Sequence, residues 1–309
     1  MKIAFLFSGQ GAQYPGMMKD LYETFQEVHT IFDKADECLS RNISQMCFYG
    51  TQEELNLTHN TQPCVLAADI AVGKTLQAHG IVPDAVAGFS LGEYAAMYFA
   101  RVFKLEDVFP LVQIRADEMQ RAVPIGEGAM AALIGVAPEK VQMLCSRVND
   151  EYVVPANYNS LEQTVVSGTA SGVDKLLELA IKEGGRAVKL PVSAPFHCSL
   201  MESAAIKLKE ELGKIDFSDP VIPLYLNYTG EKLDSGSRAK EMLVNQVFHA
   251  VQWVKTLQNM QADGIDIFIE CGPGKTLSNF VKKTLKDVTV LRVENEKTLN
   301  ETLHKLGIS

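Results

Sequence analysis

The stretch Gly88-Phe89-Ser90-Leu91-Gly92 constrains the fold of this 309-residue chain more than any other feature. It follows the short apolar run Ala85-Val86-Ala87 and leads into a helix-like segment. A GxSxG sequence between a strand and a helix is typical of a nucleophile elbow, a sharp turn that exposes the serine hydroxyl above a sheet. So short a motif also occurs by chance, but the strand-turn-helix context favours Ser90 as a nucleophile.

Helix and strand signals alternate along most of the chain, which predicts an α/β protein with a largely parallel sheet. Residues 126–194 follow a different order, strand, helix, strand, strand, helix, strand, which is the ferredoxin-like arrangement. We therefore predict a large α/β domain formed by residues 1–125 and 195–309, with the small domain inserted at 126–194. A cleft between two such domains is the expected ligand site.

Individual elements follow from apolar periodicity and turn residues. Helices are predicted over 18–40, 52–57 and 63–79, and the last is placed by Pro63 near a first helical turn. A strand is predicted over 221–226.

Composition narrows the possible partners. The chain carries 29 basic and 38 acidic residues, a net charge of −9, so general nucleic-acid binding is not expected. Its six cysteines form no CxxC pair and no metal-ligand spacing, which predicts reduced thiols in a cytoplasmic protein and no metal site. No stretch approaches the length of a membrane span, so no membrane partner is expected.

A serine hydroxyl is a weak nucleophile and needs a base, which is expected to be one of six histidines. His197 follows the proline-stiffened segment 191–195 at the exit from the small domain, where it can reach the cleft. His249 lies in a junction between two predicted helices and stays an alternative. The other four histidines are interpreted as surface residues.

Arg115 is the second polar residue in an unusual position. It falls on the apolar stripe of a helix predicted over 104–121, so its side chain should face inward. A buried guanidinium needs an anionic partner. The sequence leaves two readings equally open, a structural pair with an acid such as Glu118 and a bidentate clamp for a substrate carboxylate.

Two glycine-rich turns fail as nucleotide motifs. Gly9-Gln10-Gly11 has Tyr14 where a dinucleotide fingerprint needs its third glycine, and Gly274-Lys275-Thr276 has Ile269 where a phosphate loop needs its first. A glycine turn after a strand can instead present a backbone N–H to an oxyanion.

Several separated motifs carry a resemblance to a known family. In chain order they are Gly9-Gln10-Gly11-Ala12-Gln13, Gly88-Phe89-Ser90-Leu91-Gly92-Glu93-Tyr94, Arg115, Pro195-Phe196-His197, Val251-Gln252-Trp253 and Glu270-Cys271-Gly272-Pro273-Gly274-Lys275. Together they resemble the malonyl-CoA:acyl carrier protein transacylases over nearly the whole chain, which is far more specific than GxSxG alone.

The resemblance implies an α/β-hydrolase-like large domain with a ferredoxin-like insert. It implies transfer of a malonyl group from malonyl-CoA to the phosphopantetheine thiol of acyl carrier protein, by a ping-pong mechanism, for fatty-acid or polyketide synthesis. Malonyl-CoA, coenzyme A and the carrier protein are then substrates and products, so no cofactor is expected. We expect a monomer.

The resemblance also implies roles for single residues. Ser90 is the acylated nucleophile and His197 its base and later its acid. Backbone N–H groups of Gln10 and Leu91 form the oxyanion hole, and Arg115 grips the malonyl carboxylate.

Three further residues take supporting roles by the same resemblance. The main-chain carbonyl of Gln252 orients His197, while Gln62 and Asn159 line the pocket.

Two positions depart from the family pattern. Phe89 stands where the family usually has histidine, and Ser8 where it usually has proline. Neither change removes a catalytic group, but Phe89 puts acyl preference and rate in question. Phe196 is similar to the malonyl-preferring version of its motif.

Two other functions compete with acyl transfer. An esterase or thioesterase would need an acid between Ser90 and His197 in the chain, for which Asp117, Asp150 and Asp174 are available. A non-catalytic scaffold that binds carrier protein would need none of the three site residues.

Carrier docking by an acidic chain requires a local positive surface. The candidates are four lysines on a predicted helix after the last motif, for which a simple solvated face is an equal interpretation: Lys275, Lys282, Lys283 and Lys286.

Overall fold

A computed structural model describes residues 1–192 and 194–308, so one residue of the predicted small domain, Ser193, lies outside the described part. Within it, the strands are β1 (Ile3–Phe7), β2 (Ala85–Gly88), β3 (Gly128–Ile134), β4 (Val153–Ser160), β5 (Gln163–Thr169), β6 (Arg186–Lys189), β7 (Leu224–Tyr225), β8 (Ile267–Cys271) and β9 (Thr289–Val293).

The helices pack on both faces of the larger sheet and on one face of the smaller. They are α1 (Lys19–Thr24), α2 (Gln26–Leu39), α3 (Ile43–Tyr49), α4 (Gln52–Leu55), α5 (Thr58–Ala78), α6 (Gly92–Phe99), α7 (Leu105–Arg121), α8 (Pro138–Ser146), α9 (Ala170–Lys182), α10 (Glu202–Leu212), α11 (Gly236–Phe248), α12 (Trp253–Ala262), α13 (Thr276–Thr284) and α14 (Glu296–Lys305).

The larger sheet has the order β7-β2-β1-β8-β9, and all its neighbouring strands are parallel. Its central strand β1 is buried on both faces, because alternate side chains enter two different apolar clusters. Phe5 and Phe7 point to one side, and Ala4 and Leu6 to the other. The loops that leave the carboxyl ends of β1, β2 and β8 therefore meet at one edge, where α/β sheets bind their ligands.

The smaller sheet has the order β4-β5-β3-β6, and all its neighbours are antiparallel. Helices α8 and α9 cover one face through a cluster that includes Ala131 and Leu133. The alternate residues of β3, Met130 and Ala132, belong to the core shared with the larger sheet. The predicted α/β class and parallel sheet are confirmed, and the order of elements in 126–194 is the predicted one.

Strand β4 also pairs with the segment between α11 and α12, through an isolated β-bridge. Val251, just before α12, donates its N–H to the Ala156 carbonyl at 2.9 Å and accepts the Tyr158 N–H at 2.9 Å. This pairing ties the small sheet to the start of α12, a helix that packs on β1 of the larger sheet.

Helix α5 begins five residues before the predicted start, so Pro63 lies inside it. Proline leaves the carbonyl four residues earlier, that of His59, without a helical N–H donor. Arg41 donates to this carbonyl at 3.0 Å and Gln113 at 3.2 Å. These two long-range contacts stabilise a proline position that a local pattern does not predict.

Other boundaries differ for local reasons. The helix predicted over 18–40 is split at Phe25, which has extended backbone, and α3 was not predicted. Strand β7 covers two residues of the predicted 221–226, because it is an edge strand that follows Pro223, which has no N–H to donate. No helix in the described part of the chain is both long and apolar enough to cross a membrane.

Candidate active site

Ser90 lies at the tip of a turn over residues 88–92, which we call the elbow. Its φ of +53° is in the left-handed region. A Cβ on Gly88 would lie 1.9 Å from the carbonyl atoms of Gly92, and one on Gly92 would lie 2.2 Å from the Phe7 carbonyl oxygen. The backbone therefore approaches so closely at both positions that only glycine fits, which explains the two glycines of the GxSxG motif.

His197 contacts Ser90 directly. Its Nε2 lies 2.8 Å from the Ser90 Oγ, and its Nδ1 lies 2.8 Å from the main-chain carbonyl of Gln246. A carbonyl only accepts, so Nδ1 must carry the proton, and Nε2 is free to accept the serine proton. Burial, followed by the positive charge of Arg115, lowers the pKa of His197 to about 4. The imidazole is thus neutral, as a base must be.

The prediction that the Gln252 carbonyl orients His197 is wrong. The orienting carbonyl belongs to Gln246 on α11 and not to Gln252. The Gln252 carbonyl is occupied, because it caps α12 by accepting the Thr256 N–H at 2.9 Å. The two residues are six positions apart on either side of the turn between α11 and α12.

Arg115 is almost completely buried beneath Ser90. Its guanidinium donates to the Ser90 Oγ at 3.0 Å, to the Gln246 side-chain oxygen at 3.0 Å and to the Gln62 side-chain oxygen at 2.6 Å. Glu118 pairs with Arg121 instead, at 2.8 Å. Every acceptor of Arg115 is therefore neutral, and burial lowers its pKa.

No carboxylate of the described residues forms an ion pair with Arg115, although the buried acid Glu93 is near enough to affect its pKa. A buried cation that lacks a paired acid and lies next to a nucleophile favours an anionic ligand. Of the two readings that the sequence left open, the pair with Glu118 is therefore wrong. The Nε of Arg115 also has no hydrogen-bond partner within the described residues.

Gln246 connects the other three groups and was missed by the sequence analysis. Besides its contacts to His197 and Arg115, its side-chain nitrogen donates to the Ser90 carbonyl at 2.8 Å. A sequence signal exists, since Gln246 falls on the apolar stripe of α11 with Ala239, Met242 and Leu243.

The loops that carry Gln10 and Leu91 touch. A Cβ on Gly9 would lie 2.7 Å from the Phe89 carbonyl oxygen, so the turn after β1 is packed against the elbow. The backbone N–H groups of Gln10 and Leu91 have no hydrogen-bond acceptor among residues 1–192 and 194–308. Two free donors beside a serine are what an oxyanion requires.

A cavity of about 500 Å³ opens between the two sheets. Ser90, His197 and Gln10 lie on its wall with Asn159 of β4. Gln62 does not line this cavity and instead holds the guanidinium of Arg115. Phe89 and Phe280 form part of the apolar wall, with their ring centres 6.0 Å apart.

The remaining candidates lie elsewhere. The His249 Nδ1 donates at 2.9 Å to the carbonyl of Asn245 in α11, the helix that ends just before His249. Asp117 contacts Gln113, while Asp150 and Asp174 pair with lysines. No carboxylate among the described residues is within hydrogen-bond distance of His197, and no group of three potential metal ligands is found in that part of the chain.

Ser90, half-buried, and His197 lie on the wall of the cavity, and the buried guanidinium of Arg115 contacts the Ser90 Oγ from beneath it. With two free N–H donors, this arrangement is typical of an acyl-transfer site. Sequence comparison agrees with this class. The sequence profile of the acyl transferase domain family matches residues 4–303.

Individual relatives narrow the class. Over 308 residues, 99% of this chain and 97% of the relative, the chain is 41% identical to the malonyl CoA-acyl carrier protein transacylase of Bacillus subtilis (strain 168). The chain therefore belongs to the malonyl CoA-acyl carrier protein transacylases, a family of acyltransferases.

Solved structures agree. The crystal structure of the Clostridium perfringens transacylase has a TM-score of 0.96 and 40% identity, covering 99% of this chain and 98% of that one. A complex titled as a type II PKS acyl-carrier protein with its malonyl-transacylase gives a TM-score of 0.96 at 34% identity, covering 99% of this chain and 100% of the other.

Proposed function

We propose that this chain transfers a malonyl group from malonyl-CoA to the phosphopantetheine thiol of acyl carrier protein by a ping-pong mechanism through a malonyl-Ser90 ester. The product supplies fatty-acid or polyketide synthesis. The observation that carries the proposal is the contact of the Ser90 Oγ with both His197, at 2.8 Å, and Arg115, at 3.0 Å.

In the first half-reaction the Ser90 Oγ attacks the thioester carbonyl while its proton passes to the Nε2 of His197. The backbone N–H groups of Gln10 and Leu91 stabilise the oxyanion, and loss of one such donor costs about 10²–10³-fold in rate. The carbon–sulfur bond then breaks, and His197 returns the proton to the departing thiol of coenzyme A.

Arg115 selects the acyl group. In the free protein its hydrogen bonds go to neutral oxygens, which a carboxylate can replace with a stronger charge-assisted pair. A malonyl chain is short enough that its free carboxylate and its ester carbon are held by neighbouring side chains, Arg115 and Ser90. Gln62 supports the guanidinium, and Asn159 offers an amide on the wall of the cavity.

In the second half-reaction the carrier thiol loses its proton to His197 and attacks the ester carbonyl. The carbon–oxygen bond to Ser90 breaks, and His197 returns the proton to the serine. Water competes for the same ester, so transfer depends on an apolar wall such as the one formed by Phe89 and Phe280.

An esterase or thioesterase is the alternative function. It is less well supported, because His197 is oriented by the Gln246 carbonyl and none of the three candidate acids contacts it. Arg115 would also have no role with a neutral ester. A non-catalytic scaffold does not account for the contacts of Ser90.

We propose that the two sheets correspond to an α/β-hydrolase-like domain, residues 1–125 and 195–309, and a ferredoxin-like domain, residues 126–194. The all-parallel order of the first sheet and the antiparallel β4-β5-β3-β6 order of the second support this division. The monomeric state, the cytoplasmic location and the lack of a cofactor stay predictions from the sequence.

Intact mass spectrometry tests the first half-reaction. Mixed with malonyl-CoA, the protein should gain one malonyl group, and Ser90→Ala should gain none. Ser171→Ala, which changes an exposed serine outside the cavity, should behave like the unchanged protein. Rapid release of free malonate would favour the hydrolase, and no adduct on any variant would favour the scaffold.

Carrier docking is proposed at α13, because this helix lines the cavity through Thr276, Leu277 and Phe280. Its lysines are exposed, and Lys283 pairs with Glu162 at 3.1 Å. Lys282→Glu should raise the KM for carrier protein without changing acylation by malonyl-CoA. Lys305→Glu on α14 makes the same charge change away from this surface, and an equal effect of both variants would argue against the proposal.

A further inference from the structure

Asn227 is buried directly beneath the elbow, yet none of the chemistry above uses it. It follows β7, the edge strand that pairs with β2 through Leu224 and Tyr225. At that point the chain turns away, so the elbow loses its neighbouring strand.

The side chain of Asn227 takes the place of that missing strand. Its side-chain oxygen accepts the Ser90 N–H at 2.6 Å, and its side-chain nitrogen donates to the Gly88 carbonyl at 2.6 Å. One amide therefore makes both bonds that a strand backbone would offer to residues 88 and 90.

The amide is itself held in place. The Asn227 N–H donates to the Glu93 carboxyl group at 2.6 Å, and the Asn227 carbonyl accepts the Gln252 N–H at 2.8 Å. Glu93 lies one helical turn after Ser90, is fully buried, and has its other oxygen without a hydrogen-bond partner in the described residues. Burial raises the pKa of Glu93 to about 8.

We propose that Asn227 is a positioning residue that fixes the left-handed backbone of Ser90 and occupies the Ser90 N–H, so that the Leu91 N–H is the elbow's free oxyanion donor. Its loss lets the elbow relax, and the Ser90 Oγ then leaves the line between His197 and the reacting carbon. The inference rests on the proposed acyl transfer at Ser90.

Pre-steady-state acylation by malonyl-CoA tests this inference, measured as the burst of released coenzyme A. Asn227→Ala should slow acylation by about 10²-fold, the usual cost of a misplacement near 1 Å. The dissociation constant for malonyl-CoA, measured on a Ser90→Ala background, should change less than threefold, because Asn227 does not line the cavity.

Asn259→Ala is the matched control. Asn259 donates to the Gly230 carbonyl at 2.8 Å, so this variant loses the same kind of bond to a glycine carbonyl away from the elbow. It should acylate at the rate of the unchanged protein. If Asn227→Ala stays within threefold of that rate, or if both variants lose activity equally, the inference is wrong.

Asn227→Asp keeps the side-chain volume, so it provides a second test of the proposal if the alanine variant does not fold. At pH 5.5 a protonated aspartate can still accept from Ser90 and donate to Gly88. The titratable group in contact with it is Glu93, which is itself affected by the charge of Arg115.

Asn227→Asp should acylate at least tenfold faster than Asn227→Ala at this pH, or within tenfold of the unchanged protein if the alanine variant is unfolded. A slower folded aspartate variant would overturn the inference. Failure of the unchanged protein to acylate at all would instead contradict the proposed function.

Discussion

At the scale of single residues, the site depends on neutral partners around one buried cation. The oxygens that Arg115 contacts belong to a serine and two glutamines, so the guanidinium is held in place by neutral hydrogen-bond acceptors. An arginine that is fixed by neutral acceptors can bind a carboxylate at little cost in reorganisation.

Replacing Arg115 by alanine should slow malonyl transfer by about 10- to 150-fold, since a hydrogen bond to a charged group contributes roughly 1.5–3 kcal/mol. Transfer of acetyl groups, which have no carboxylate, should change far less. The measurement is kcat/KM for the two CoA esters. Arg121→Ala in the same helix should change neither, and equal losses with both esters would refute a carboxylate clamp.

The low pKa of His197 predicts how the acylation rate depends on pH. A pKa of about 4 keeps the imidazole neutral down to about pH 5, so acylation should vary less than twofold between pH 5.5 and 7. A histidine with the ordinary pKa near 6.5 would lose about eightfold over that interval. The rate of the coenzyme A burst measures this. Arg115→Gln should move the acid limb to higher pH, because it removes one of the two causes of the low pKa.

The individual site residues were predictable to different degrees. Ser90 could be found because its glycine neighbours are a local requirement, and Arg115 because a charge on an apolar stripe is conspicuous. Gln246 also lies on the apolar stripe of its helix, but an uncharged side chain in that position is a weaker signal than a charged one. The choice between the carbonyls of Gln246 and Gln252 depends on where α11 ends, which a sequence pattern locates only to within a few residues.

At the scale of elements, the elbow is a strand-to-helix turn so tight that its backbone atoms leave no room for a Cβ at Gly88 or Gly92. Local pattern predicted this turn and the helices beside it. It did not predict the start of α5, because the stability of Pro63 inside a helix comes from Arg41 and Gln113 far along the chain. It also overestimated β7, because an edge strand needs only a short run of pairing.

Gly88→Ala should destabilise the protein by more than about 3 kcal/mol, since a Cβ 1.9 Å from the Gly92 backbone requires the elbow to move. Gly213→Ala is the control, because Gly213 has right-handed helical backbone. It should change stability by less than about 1 kcal/mol. Urea unfolding measures both, and a Gly88→Ala protein as stable as the control would contradict the close approach.

At the scale of the whole molecule, buried acids lie beneath the loops of the carboxyl edge. Burial, followed by the charge of Glu270, raises the pKa of Asp69 well above its usual range. The Asp69 carboxyl packs directly against Gly272, because a Cβ on Gly272 would lie 1.9 Å from an Asp69 carboxyl oxygen. Ser8, at the family's usual proline position, has its hydroxyl 2.9 Å from the same point.

A raised pKa in the folded state means that folding favours the protonated acid. Stability is then full below the pKa of the unfolded chain, near 4, and decreases as pH rises through the folded pKa. Asp69→Asn, which cannot ionise, should therefore raise the melting temperature at pH 8 by at least about 2 °C, with the gain vanishing near pH 4.

Asp150→Asn is the opposite case, because a hydrogen bond from Lys175 lowers the pKa of that exposed acid. It should give no gain in melting temperature at pH 8. A gain for Asp69→Asn that is independent of pH would contradict the buried-acid account.

The central claim is that Ser90 holds a malonyl group and passes it to a thiol in preference to water. The most direct measurement is the fate of isolated malonyl-enzyme mixed with carrier protein bearing phosphopantetheine, followed by intact mass of both proteins. The account predicts that the mass of the malonyl group moves from the enzyme to the carrier protein, with little free malonate. Loss of the adduct to water at the same rate with and without carrier protein would contradict it.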